Sequence, residues 1–153
     1  MIKQMDYNKK KHKELVIRSQ DLKNQGKDLF IENPEAFFEL SKYNIAVEEQ
    51  VFWTHLEDFF LLMKNFLANI LDFYEFETVF SVLYWKTTKE VKMSIIDLKQ
   101  IDKFQPSTRL NRFATCVGAI FRQFEEVEEE YCTKQDVKDF VKEIYLEYQI
   151  FEE

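Results

Sequence analysis

Apolar residues recur at three- and four-residue steps along most of this chain, the spacing that lines one face of an α-helix. The clearest run lies between Val51 and Ile70, where Phe52, Leu56, Phe59, Phe60, Met63, Phe66, Leu67 and Ile70 form one broad stripe. The pattern predicts a single helix there. Asp72 and Glu75 follow as a cap and its partner three residues on, the sequence form of a capping box. Phe73, Phe76, Val79, Phe80, Leu83 and Tyr84 carry the period into the next helix. From 87 to 105 the apolar positions (Val91, Ile95, Ile96, Leu98, Ile101) are scattered, which predicts a connection holding at most one short helix. Pro106-Ser107 marks the next start. Leu110, Phe113, Ala114, Val117, Phe121, Phe124 and Val127 define a third apolar face, with Gly118 inside it as a place for close helix approach. Thr133, with Asp136 three residues on, opens a last helix that turns Val137, Phe140, Val141, Ile144, Tyr145 and Tyr148 to the core.

Upstream the pattern thins. A first helix is expected from Lys9 to Leu29 on Leu15, Val16, Leu22 and Leu29, loosened near its end by Gly26. Asn33-Pro34 is a sharper signal, because asparagine caps a helix and proline suits its first position. Ala36, Phe37 and Leu40 begin the face that follows. No repeat of fixed period and no low-complexity linker divides the chain. With only 2 Gly and 2 Pro in 153 residues, turn-rich β architectures lack their punctuation. The hydrophobic share of 46%, much of it in 16 Phe, is enough for one core. The expected fold is all-α, with four to five helices. Residues 1–153 make one domain, with a basic, frayed segment at 1–13.

Charge changes this picture. The net charge is −7, unevenly spread: residues 1–13 carry five lysines and one aspartate, whereas residues 124–153 carry eleven acids and three lysines. An acidic protein repels nucleic acid and attracts basic proteins. Glu125, Glu126, Glu128, Glu129 and Glu130 fall at the expected C-terminal end of a helix. The dipole is negative there, so each exposed acid costs about 0.3–1 kcal/mol. On the last helix, at about 100° per residue, Asp136, Asp139, Glu143 and Glu147 share one flank. Lys134, Lys138 and Lys142 share the other. The nine carboxylates can form one negative surface for a partner; a solvated charged loop would have the same sequence.

Residues suited to catalysis are few. His12 sits among lysines and reads as exposed, and His55 lies beside the apolar stripe. Neither belongs to a Glu-x-x-His pair of the di-iron kind. No zinc spacing or Cys-x-x-Cys is present, and two glycines cannot build a phosphate loop. Cys116 reads as a small core residue. Cys132 lies among glutamates that raise a thiol pKa, the wrong direction for a nucleophile. No enzyme activity, metal or cofactor is expected. Trp53, Trp85, Tyr84 and Tyr131 are the aromatics best suited to an interface. No apolar run is long enough to span a membrane, and the start lacks the apolar stretch of a signal peptide. Two cysteines suit a reducing compartment, the cytoplasm or, given a composition typical of an AT-rich gene, a plastid stroma.

The rhythm of the second half resembles the bacterial colicin-like self-immunity proteins over roughly residues 56–148. It runs through Phe59-Phe60-Leu61-Leu62-Met63-Lys64-Asn65-Phe66-Leu67, then Ile70 through Phe76-Glu77 to Phe80. A long variable middle follows, then Leu110 to Phe124, and finally Gln135-Asp136-Val137-Lys138-Asp139-Phe140-Val141. The resemblance implies an antiparallel helical bundle of four to five helices, a non-catalytic inhibitor that binds a basic nuclease toxin and occludes its active site with carboxylates standing in for phosphates. No binding residue of that family falls on a matching motif here, so the nine carboxylates are assigned from charge. Residues 1–50 lie outside the resemblance. The alternative is a structural or assembly subunit of a larger complex, binding through aromatic surfaces.

Overall fold

Local stop signals cut the helical pattern more often than its period suggests. The computed structural model describes residues 7–96 and 108–149, with backbone alone for 108–111. Among these residues there are seven helices and no strand: α1 (Lys9–Asn24), α2 (Leu29–Glu32), α3 (Pro34–Thr54), α4 (Leu56–Leu67), α5 (Phe73–Ile96), α6 (Thr108–Glu128) and α7 (Lys134–Tyr148). The all-α class is as expected; the count of four to five is not.

Three breaks divide the chain between Lys9 and Leu67, and only the one at Asn33 was expected. The helix expected from Lys9 to Leu29 ends early because Gly26, at φ 71°, turns the chain. Its N–H and that of Lys27 close back on the carbonyls of Lys23 and Leu22, the left-handed stop that glycine favours. Leu29 then falls in α2, capped by the Asp28 side chain at 2.8 Å from the Phe30 N–H. Asn33 caps α3 as expected, accepting from the Ala36 N–H with Pro34 at the first position.

The third break divides the stripe expected to run unbroken from Val51 to Ile70. The Thr54 hydroxyl donates to the Val51 carbonyl at 2.6 Å, and the His55 N–H closes on Phe52 instead. A threonine that bonds back to its own helix offers the backbone an alternative partner. His55 becomes the joint, and the Phe59 N–H then bonds its carbonyl to restart the helix. At the other end Ile70 lies exposed in the turn after α4 rather than on the core stripe.

One expected connection is helix instead. α5 continues through 87–96, with Thr87, Val91 and Ser94 buried. Neither Gly nor Pro interrupts it, and the Thr87 and Thr88 hydroxyls are absorbed by the Leu83 and Tyr84 carbonyls. The periodicity was diluted because two of its three core positions there are small and polar. The start signal Pro106-Ser107 lies outside the described residues; α6 is helical from Thr108.

The architecture rests on two antiparallel hairpins, α4–α5 and α6–α7. α5 packs on α4 and α6, and α7 on α6 and α4, so the hairpins close into a four-sided core. Phe59, Phe60, Met63, Phe76, Phe80, Phe113, Ile120, Val137 and Val141 fill it. The 12 residues of α4 reach half as far as the 24 of α5, about 18 Å against about 36 Å. α3 covers α5 and α6 beyond that reach. Gly118 on α6 is not required by this packing: an added Cβ would meet the Tyr84 hydroxyl at an ordinary 3.9 Å.

A satellite cluster of Leu15, Leu29, Ala36, Leu40 and Tyr43 joins α1 and α2 to α3. His12, expected to be exposed among lysines, is fully buried beside this cluster. Its ring stacks on Tyr43. Its Nδ1 lies 2.8 Å from the Tyr7 hydroxyl and its Nε2 2.7 Å from Asn44 Oδ1. A neutral imidazole that accepts from the tyrosine and donates to the asparagine satisfies all three groups. Burial accordingly lowers the His12 pKa and raises that of Tyr7 to about 12. The lysines flanking His12 in sequence point away from it around the helix, so sequence neighbours misreported its surroundings.

Candidate functional site

The acidic end is built by the way α6 stops. Glu130 takes a left-handed φ of 65°. The Tyr131 N–H bonds the Glu126 carbonyl at 2.8 Å and the Glu130 N–H bonds Val127 at 3.1 Å. This pair of bonds is a Schellman closure, in which glycine is usual and glutamate is not. Thr133 then caps α7 with a reciprocal box: its N–H donates to Asp136 at 2.8 Å, and its hydroxyl accepts from the Asp136 N–H. These bonds hold the Asp136 carboxyl below the usual carboxylate range.

The nine carboxylates do not share one role. Glu125, Glu126, Glu128, Glu129 and Glu130 are exposed, and no described cation forms a salt bridge with any of them. Because successive residues turn about 100°, Glu126 lies on the α7 side of α6, while Glu125 and Glu129 lie away from it. Glu126 and Asp136 come together around Cys132. That thiol's pKa is raised by burial first, then by those two charges. Asp139 accepts from Gln135 Nε2 at 2.9 Å, and Glu147 pairs with Arg112 on α6 at 3.1 Å. Glu143 is exposed between them. The run therefore wraps the end of α6, and α7 extends it along the flank facing α6.

The lysine flank of α7 has a structural occupation. Lys134 donates to the Tyr74 hydroxyl at 3.0 Å and lies over the Tyr74 ring. Lys138 bonds Asn69 Oδ1 and lies over Phe66. The charge segregation read from the sequence thus sorts by neighbour: lysines face the aromatic α4–α5 turn and acids face α6.

Two polar arrangements bear on catalysis. His55 Nε2 lies 2.6 Å from Glu90 and its Nδ1 3.4 Å from Asp58, which ties the α3–α4 joint to α5. A cleft of about 350 Å³ opens between α3, α5 and α6, lined by Ile45, Glu48, Glu49, Tyr84, Gly118 and Arg122 among others. Burial, then the charge of Glu48, pushes the Glu49 carboxyl up to about 7. His55 does not line this cleft. Among the described residues no cluster of three or more His, Cys, Asp or Glu side chains is placed to hold a metal ion. No described helix is long and apolar enough to cross a membrane. The Glu48–Glu49 cleft and the lysines of α5 escaped the sequence reading, the first because helix crossing makes it, the second because α5 was expected to have ended.

No family model matches the chain. No curated protein and no solved structure matches it either.

Proposed function

We propose that this chain is a non-catalytic immunity or inhibitor protein. Its acidic end, at the α6–α7 turn, binds a basic nuclease-type toxin and blocks the toxin's active site. One observation carries the reading: the fold makes the same turn between α4 and α5 with Ala68, Asn69, Ile70 and Leu71, so nothing in the backbone calls for acid at the second turn. Glu126, Glu128, Glu129 and Glu130 crowd a helix C-terminus where the dipole disfavours them, and one adopts a strained φ. Exposed carboxylates in that place speed encounter with a cationic partner and set its orientation. The interface extends along Asp136, Asp139 and Glu143; Glu147, already paired with Arg112, lies at its far edge. The compartment proposed is the cytoplasm, or the plastid stroma.

The test is affinity capture at low and at moderate salt. Wild type is expected to recover a basic protein at low salt and lose it as salt rises. A variant with Glu125, Glu126, Glu128, Glu129 and Glu130 all changed to Lys should recover none. If no basic protein is captured, or the variant captures it unchanged, the reading is wrong. A second reading, a subunit of a larger complex binding through aromatic surfaces, draws on the exposed Phe30, Ile31 and Phe38 of α2 and α3. Capture of a stable assembly that survives high salt would favour it.

A further inference from the structure

We propose that the outward face of α5, from Val82 to Ile96, is a docking surface for an anionic lipid headgroup layer. Four large apolar side chains stand on this one face: Val82 is 65% exposed, Trp85 60%, Met93 56% and Ile96 73%. Lys86, Lys89 and Lys92 are interspersed among them and exposed. None of the three forms a salt bridge with a described carboxylate. The only acid in the stretch, Glu90, is turned to His55 at 2.6 Å. In a chain of net charge −7, the described charges that stand outward on this face are therefore three lysines.

That combination favours a bilayer over a protein groove. The face residues line none of the clefts at Arg18, Glu48 and Phe66. They stand on the convex surface of a helix that is already packed on its other side. A headgroup layer needs no shape complementarity; it needs apolar groups that enter the interface and cations that stay in the phosphate plane. Lysine stems can lie beside the apolar residues with their ammonium groups in water. Trp85 suits such a boundary, and its ring is fixed edge-on against Phe121 with centroids 5.4 Å apart. The acidic α6–α7 turn adjoins the opposite, N-terminal end of α5, where Phe73 and Phe76 meet Phe124. The molecule can therefore present lysines to an anionic surface with its acidic turn at the far end of the helix.

The probe is a set of vesicles, one of phosphatidylglycerol mixed with phosphatidylcholine, the other of phosphatidylcholine alone. The full chain should co-sediment with the first at low salt and not with the second. In a Trp53→Phe variant, the Trp85 emission should shift to the blue on binding. Changing Lys86, Lys89 and Lys92 to Glu should weaken partition by at least about fivefold per lysine, with unchanged helical circular dichroism. Trp85→Ser should weaken it without altering its salt dependence. A variant with Glu125, Glu126, Glu128, Glu129 and Glu130 all changed to Gln, which adds no cation, should still bind vesicles, and this separates the surface from the proposed inhibitor end. No co-sedimentation, equal partition into both vesicles, or an unaffected lysine variant overturns the proposal. So does binding of soluble polyglutamate in place of vesicles, which would assign the face to an acidic protein.

Discussion

The two hairpins of the core share a backbone and differ in chemistry. In each, a helix ends in a left-handed residue, Asn69 at φ 60° or Glu130 at φ 65°. In each, the N–H of that residue and the N–H of the next close as a Schellman pair, and a box (Asp72 with Glu75, Thr133 with Asp136) starts the return helix at the same distance. Core positions correspond as well: Phe59 and Ile120, Met63 and Phe124, Phe76 and Val137, Phe80 and Val141 are all buried. Yet α4–α5 packs mostly aromatic rings and closes with neutral residues, whereas α7 brings aliphatic Val137, Val141 and Ile144 beside Tyr148, and its turn is acidic. Asparagine tolerates the left-handed region, and here Asn69 also receives Lys138 from the other hairpin. Glutamate gains neither advantage. The comparison separates what the turn requires, which Asn69 satisfies, from what the second turn adds.

The largest difference should appear in the core. Phe76 stacks on Phe66 with centroids 4.2 Å apart and meets Phe80 and Phe124. Phe76→Ala should cost about 3–5 kcal/mol, a large part of the stability of an ordinary domain. Its counterpart Val137→Ala, losing fewer atoms, should cost about half as much or less. Urea denaturation of both variants checks the ranking; equal losses would show that the hairpins do not divide the core as their ring contacts suggest.

A smaller effect of opposite sign is expected at the acidic turn. Replacing Glu125, Glu126, Glu128, Glu129 and Glu130 with Gln removes like charges and relieves the α6 dipole. The melting temperature should rise by a few degrees at low salt, and less at high salt because the charges are exposed. A fall would mean the glutamates serve the fold, and the reason for assigning them to a partner would disappear.

Class, core faces and most caps were legible because they depend on residues close in sequence. Phe59, Phe76, Phe113 and Val141 announce their faces by spacing, and Asn33-Pro34, Asp72 and Thr133 announce starts. The break at His55 was not legible: it depends on the Thr54 hydroxyl turning back to Val51 and on Glu90, far along the chain, holding the imidazole. Buried His12 was hidden for the same reason, since Tyr43 and Asn44 reach it from α3. The correspondence of the hairpins escaped a search for repeats because it lies in burial and turn geometry, with few residues identical. The acids were plain in sequence, but their division around the end of α6 needed the helix to be placed against α7.

The smallest effect tests the turns themselves. At a left-handed φ a side chain brings its Cβ toward the carbonyl, a cost glycine avoids and asparagine partly offsets. Glu130→Gly should therefore stabilise the chain by about 0.5–1 kcal/mol, since relief of strain and of one unfavourable charge outweighs glycine's greater freedom when unfolded. Asn69→Gly should be neutral or slightly destabilising, because it also removes the acceptor for Lys138. The paired measurement, at high salt to suppress the charge contribution, isolates the backbone term. A gain at position 130 that persists there, with none at 69, would show that the acidic turn keeps its glutamate against the preference of its own backbone. Equal responses would mean that both turns are relaxed, leaving only the charge itself to distinguish them.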